Sequence, residues 1–233
     1  MRSIDIKDIN KDFGKMKALD GVSLAIEEGE SFGLVGESGS GKTTLARIIL
    51  KLIGATSGEI VYGSEFSRKD FQIVFQNPYT SLNPRMRIRE ALLEPLNIHG
   101  IKREIREILQ EVELDESYLE RYPHELSGGE RQRICIARAI SVKPKFLVLD
   151  EPVSSLDMTV QLEIMKLLKK LKSRLGLTFL LIAHDLSVIR FMCGRLAVMK
   201  SGRIVETGKV DEIFRSPKDP YTKLLLESVP RLP

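Results

Sequence analysis

In the stretch Gly36-Glu37-Ser38-Gly39-Ser40-Gly41-Lys42-Thr43-Thr44, residues 36–43 fit the spacing G-x-x-x-x-G-K-[ST]. Glycines at these positions let the backbone wrap closely around an anion, and a helix starting at Lys42 would aim its first N–H groups at the same point. Gly36, Ser38, Gly39, Ser40, Gly41, Lys42, Thr43 and Thr44 are therefore the candidate phosphate-binding set. Lys42 is placed to reach β- and γ-phosphates, and the Thr43 hydroxyl to hold Mg²⁺. The alternative, a glycine-rich turn with a surface lysine, would not require the buried-strand pattern Ser31–Val35 before the loop or the apolar-faced helix pattern after it.

Two acids form a second constellation. Asp150 and Glu151 end the apolar run Phe146-Leu147-Val148-Leu149. Successive carboxylates at the end of a buried strand are costly unless something uses them. Asp150 is assigned to the metal and Glu151 to polarising an attacking water; the bland alternative is a solvated turn before Pro152. Ser127-Gly128-Gly129 opens a third candidate, because a serine cap and two bare glycines at a helix start can also receive a phosphate. The residues alone leave that reading level with an ordinary capped helix.

The elements that must position these groups are legible from periodicity. Alternating strands are expected over 3–9 and 19–26, with a loop over 10–18 that carries Phe13. Buried strands are expected at 31–35, 71–75, 146–151 and 177–182, the last ending at His184. Helices are expected at 43–50, 88–96, 102–112, 130–141 and 157–175, the last presenting Leu162, Met165, Leu168 and Leu171 inward. Residues 77–84 contain many breakers and are expected to be irregular. Strands 196–199 and 203–207 should pair as a hairpin, and the tail from 210 should hold one short helix. Strands that alternate with helices after the glycine loop imply an α/β fold. The expected architecture is a central, mostly parallel sheet flanked by helices, with an N-terminal antiparallel β subdomain and an inserted helical subdomain.

Composition narrows the class. The chain has 233 residues, is 42% hydrophobic and carries a formal charge of +4. That suits one large domain with a smaller inserted part. No basic stripe of the kind that tracks nucleic acid is present, so a nucleic-acid partner is not expected. Cys135 and Cys193 lie among apolar neighbours and read as core residues. His99 and His124 lack metal-ligand spacing. No secretory leader pattern opens the chain, and no apolar run reaches the roughly 20 residues that a membrane helix needs. An intracellular protein, soluble or peripheral, is the expectation.

At Leu126-Ser127-Gly128-Gly129-Glu130 the chain resembles the signature motif of the ATP-binding-cassette ATPases. The resemblance extends over essentially the whole length: Walker A at 36–43, Walker B at 146–151, a Q-loop at Gln76, a D-loop at Ser155-Leu156-Asp157 and a switch histidine at His184. It implies a P-loop NTPase fold, with a nucleotide-binding core over 1–84 and 126–209, a helical subdomain over 85–125 and a short tail over 210–233. It implies ATP and Mg²⁺ as ligands, with Thr43, Gln76 and Asp150 at the metal, and Glu151, His184, Gln76 and Lys42 serving hydrolysis. Phe13 stands where the family stacks an aromatic ring on adenine, although a lone Phe near a strand end also reads as core. Two cassettes, this chain with itself or with a sister ATPase, would meet head to tail. Each nucleotide would then lie between the Walker A of one and Ser127, Gly128 and Gly129 of the other.

Two further stretches resemble the oligopeptide, dipeptide and nickel importer branch: Phe75–Arg85 around the Q-loop, and Ser216-Pro217-Lys218-Asp219-Pro220-Tyr221-Thr222-Lys223-Leu224-Leu225 near the end. The resemblance implies an ATPase on the cytoplasmic face of the membrane that grips two transmembrane permease subunits. An extracytoplasmic substrate-binding protein would serve the same system. The segment from Gly58 to Gln76 is shorter than is usual in the family, and the chain stops soon after the proline–tyrosine stretch, so a trimmed antiparallel part and no cysteine-bearing extension are expected. The competing classes are a soluble cassette ATPase and a nucleotide-controlled scaffold. The interval between the glycine loop and Ser127 is too short for the coiled coil of repair ATPases, and no Asn-Lys-x-Asp segment supports guanine.

Overall fold

Alternating residues at the N-terminus and apolar runs thereafter produce the elements in chain order. In the computed structural model, which describes residues 2–63 and 66–227, these are β1 (Arg2–Phe13), β2 (Met16–Glu27), β3 (Ser31–Val35), α1 (Lys42–Ile49), β4 (Ser57–Tyr62), β5 (Phe71–Val74), α2 (Pro78–Ser81) and α3 (Ile88–His99). They continue with α4 (Ile105–Glu111), α5 (Gly128–Ile140), β6 (Phe146–Asp150), α6 (Met158–Leu175), β7 (Thr178–Ile182), α7 (Leu186–Met192), β8 (Arg195–Lys200), β9 (Arg203–Lys209), α8 (Val210–Arg215) and α9 (Pro220–Glu227). The chain divides into two units, Met1–Phe66 with Thr178–Pro233, and Ser67–Leu177.

The first unit contains two sheets. One is antiparallel, in the order β2-β1-β4. The other runs β7-β3-β8-β9, with β3 parallel to both neighbours and β9 antiparallel to β8. Every residue of β3 and β7 is buried, as the apolar runs predict. In the second unit β5 and β6 pair in parallel, with Phe71 opposite Phe146 and Val74 opposite Leu149. Helices α2, α3 and α4 precede α5 there without an intervening strand. The α/β architecture, its mostly parallel strands and its N-terminal antiparallel sheet are as expected.

Four local expectations need correction. Residues 10–18 are not a loop: β1 runs to Phe13 and β2 starts at Met16. Register shifts between Ile6 and Asp12 interrupt the alternation that would have revealed the strand. Residues 77–84 are not wholly irregular, because the Asn77 side chain accepts from Tyr79 N at 2.9 Å and Pro78 opens α2; here the supposed breakers start a helix. On α6 the buried stripe is Ile164, Leu167, Leu168 and Leu171, while Leu162 is exposed. Leu162 lies two residues before Ile164, about 200° round the helix. Among its described residues, 210–227, the tail holds two short helices, α8 and α9, since Asp219 and Pro220 start a second one. The cysteine reading holds: both are buried and neither is in a disulfide, and burial pushes the Cys135 thiol up to about 12.

Candidate functional site

The glycine loop joins β3 to α1. Helix α1 begins directly at Lys42, with Gly41 (φ 108°) before it, no side-chain cap and no acid in its first turn. Its positive dipole end is therefore not neutralised by its own side chains, which suits an anion. Gly36 (φ 150°) and Gly41 cannot carry a side chain: an added Cβ would lie 2.1 Å from the Met199 carbonyl oxygen and 2.6 Å from that of Ala18. At Gly39 (φ 79°) the space is open, so only backbone conformation demands glycine. Lys42 is buried, and its Nζ donates to the carbonyls of Gly36 and Glu37 at 2.8 Å each.

Neighbouring segments clamp the loop. The β8–β9 turn donates from Gly202 N to Ser40 O at 2.9 Å, and Gly202 O accepts from Asp20 N of β2 at 2.9 Å. Phe13, at the tip of the β1–β2 hairpin, is 47% exposed, with Lys11 Nζ 5.0 Å above its ring. The core alternative for Phe13 is thereby excluded, and an open aromatic face remains. His184 is exposed just beyond β7. Leu34 pairs with Ile182, so the phosphate loop and His184 leave adjacent parallel strands at the same edge. Asp185 caps α7 through Ser187 N at 2.7 Å.

The second unit holds the acids and the signature residues. Asp150 ends β6 and is buried, while Glu151 adopts φ 49°, a left-handed conformation unusual for a side-chain-bearing residue. Such strain persists only where surrounding structure enforces it, commonly at functional positions. Gln76 Nε2 donates to Glu151 Oε2 at 2.8 Å, so the structure joins two candidates that lie 75 residues apart in sequence.

Ser127 caps α5. Its N–H donates to Glu130 Oε2 at 2.7 Å, and its Oγ accepts from Glu130 N at 3.3 Å. Tyr118 donates to Glu130 Oε1 at 2.7 Å. That bond, with those from Ser127, holds the Glu130 carboxyl below its ordinary value of 4.5 despite partial burial. An added Cβ on Gly128 would meet Leu156 at 3.2 Å, and one on Gly129 would meet Val160 at 2.7 Å. Ser127, Gly128 and Gly129 share a cleft of about 300 Å³ with Ser155, Leu156 and Asp157. Asp157 caps α6 through Thr159 N and Val160 N.

Sequence reasoning missed Arg131. Only 2% exposed, it donates from Nε to Pro123 O at 2.9 Å and from one terminal nitrogen to Leu126 O at 2.8 Å. Its guanidinium lies 3.7 Å from the centroid of Tyr79. It thus holds the turn before Ser127 and stacks on the helix that follows Gln76. A charged residue inside a helix beginning Gly-Gly-Glu-Arg reads as solvated, so no local signal distinguishes it.

Among the described residues no cluster of three or more His, Cys, Asp or Glu could hold a metal alone. Mg²⁺ commonly takes one or two protein oxygens and completes its shell from phosphates and water. In the second unit the Gln76 amide oxygen and the Asp150 carboxylate, and in the first the Thr43 hydroxyl, are each oxygen donors of the kind that mode uses. Among the described residues no helix is long and apolar enough to cross a membrane.

Comparison with known proteins identifies the family. Residues 19–154 match the ABC transporter family, and residues 205–233 match the oligopeptide/dipeptide transporter C-terminal region. The chain is 45% identical to the oligopeptide transport ATP-binding protein OppF of Streptococcus mutans, over 97% of this chain and 81% of that one. It is also 45% identical to the dipeptide transport ATP-binding protein DppF of Lactococcus lactis, again over 97% and 81%. Among solved structures, cbiO1 of Clostridium perfringens, part of an ABC transporter complex, superposes with a TM-score of 0.82 at 28% identity, covering 92% of this chain and 91% of that one. The ATP-binding cassette MJ0796, a dimer in a post-hydrolysis state bound to ADP and Pi, superposes with a TM-score of 0.76 at 32% identity, over 89% and 98%.

Proposed function

The chain belongs to the ABC transporter family, and from that premise we propose that it is the ATP-hydrolysing subunit of an importer of oligopeptides or dipeptides. One observation carries the reading: a complete phosphate loop shares the chain with a segment, 205–233, matching the C-terminal region of oligopeptide/dipeptide transporters. The names of its curated relatives support the cargo class.

The roles follow from chemistry. Phe13 offers its open face to adenine. Ser38, Gly39, Ser40, Gly41 and Thr44 surround the phosphates, while Lys42 exchanges two backbone carbonyls for the β- and γ-phosphates. Thr43, Asp150 and Gln76 would hold Mg²⁺, which would supply positive charge against the phosphate groups. Glu151 polarises the attacking water, and the Gln76 amide orients that carboxylate. His184 donates to the γ-phosphate. A second cassette, identical or a sister ATPase, supplies Ser127 and the N–H groups of Gly128 and Gly129 to the same phosphate. In this reading 1–84 and 126–209 form the catalytic core, 85–125 the helical subdomain and 210–233 the tail. A cavity of about 310 Å³, lined in part by Phe75, Leu82, Pro95 and Ile98, supports docking of a permease coupling helix. The assembly would comprise two permease subunits and an extracytoplasmic substrate-binding protein, with this chain on the cytoplasmic face.

Phosphate release from Mg-ATP, measured with the membrane subunits present, tests the reading. Turnover stimulated by peptide is expected. An absence of hydrolysis, even beside the sister ATPase and the permeases, would overturn it.

A further inference from the structure

The stretch Ser216–Thr222 matches the end of peptide-transport ATPases, yet nothing in the hydrolytic scheme uses it. Three sets of contacts position it. Glu206 on β9 accepts from Lys218 N at 2.9 Å and Asp219 N at 3.1 Å, fixing the entry to α9. Asp219 Oδ1 then accepts from Tyr221 N at 2.8 Å. The Tyr221 ring is 5% exposed and lies beneath Lys200, whose Nζ is 4.6 Å from its centroid. So held, its phenol oxygen accepts a hydrogen bond from Glu37 N at 3.0 Å, reaching back 184 residues to the phosphate loop.

That N–H belongs to the Gly36–Glu37 peptide, whose carbonyl is the Gly36 oxygen accepting from Lys42 Nζ at 2.8 Å. One peptide plane is therefore gripped from both sides, by the tail on its N–H and by the phosphate lysine on its oxygen. Gly36 at φ 150° has no side chain of its own to help hold the plane. Burial raises the Tyr221 pKa, so the hydroxyl stays protonated and neutral at physiological pH.

We propose that Tyr221 is a positioning residue for nucleotide binding: its hydroxyl fixes the Gly36–Glu37 peptide, and through it the resting place of Lys42 and the shape of the phosphate loop. The tail is then a built-in brace that sets nucleotide affinity. Removing the hydroxyl widens the range of loop conformations from which nucleotide must select, which lowers apparent affinity without altering the groups that act on the water.

This inference rests on the ATPase reading above, and the test separates the two. In the assembled transporter, Tyr221→Phe should raise KM for ATP about three- to tenfold, the worth of one hydrogen bond, with kcat changed less than about twofold. The nucleotide-free chain should melt at nearly the wild-type temperature. Leu224→Ala, an exposed change on the same helix, should match wild type in KM and kcat. An unchanged KM in Tyr221→Phe would overturn the proposal. So would a rise reproduced by Leu224→Ala, or a fall in kcat that tracks lost thermal stability. A wild-type transporter without ATPase activity would overturn the parent reading, and this one with it.

Discussion

Two helices in this protein begin at glycines, α1 just after Gly41 and α5 with Gly128 and Gly129 as its first residues, and their N-termini are finished in opposite ways. Helix α1 starts on Gly41 with no side-chain cap and no acid in its first turn. Helix α5 starts on Ser127 with a complete capping box, its Glu130 further tied to Tyr118. The first end leaves its dipole for a bound anion; the second already satisfies one within its own chain. Ser127 accepts one bond and keeps its hydroxyl proton to donate. The difference suits the division of labour proposed here. One end is a complete receptor for phosphate, and the other is a pre-ordered donor that finishes a site on a neighbouring cassette.

The sharpest way to break the α1 side is Lys42→Ala. Loss of the charge that meets the transferring phosphoryl group should reduce ATP turnover by at least ~10²-fold, read as phosphate release. Glu151→Gln should lower turnover by about 10²–10⁴-fold while nucleotide stays bound, which equilibrium binding will distinguish from Lys42→Ala. Next come the glycines. Gly41→Ala meets backbone at 2.6 Å, whereas Gly39→Ala meets nothing within 4 Å. Thermal melting should therefore show a larger loss for Gly41→Ala, by about 1–3 kcal/mol.

The α5 side yields the smaller effects. Ser127→Ala should cost about 1 kcal/mol of stability, measured by denaturant titration, and should leave nucleotide binding to the isolated chain unchanged. The Glu130 carboxyl lies below its ordinary value in the folded chain, first because Tyr118 donates to it. Its contribution is therefore complete above the unfolded value of 4.5 and disappears as pH falls through the lower folded value. The stability gap between wild type and Glu130→Gln, followed by melting against pH, should close on acidification through that window.

The comparison also separates what could be read from sequence and what could not. The phosphate loop was legible because strand, glycines, lysine and helix are contiguous, so local chemistry specifies both shape and role. The acidic pair was legible because β6 is a short apolar run ending in two charges. The strand through residues 10–13 was hidden by bulges, and α2 by residues that start helices as readily as they end them. Arg131 and Tyr221 were invisible for a different reason. Their functions are contacts, with Leu126 O and the Tyr79 ring in one case and with a backbone N–H far along the chain in the other. No periodicity encodes such pairings. The Gln76–Glu151 bond is intermediate: the acidic pair pointed to Glu151 and family resemblance to Gln76, but only the fold shows the amide of one donating to the carboxylate of the other.

Sedimentation of the Glu151→Gln chain with Mg-ATP, alone and mixed with its sister ATPase, tests the two-ended site most directly. The account predicts a nucleotide-dependent shift from one cassette to two, abolished by Ser127→Arg while nucleotide remains bound. A nucleotide-loaded chain that sediments as a single cassette in both settings, or a dimer indifferent to Ser127→Arg, would contradict it.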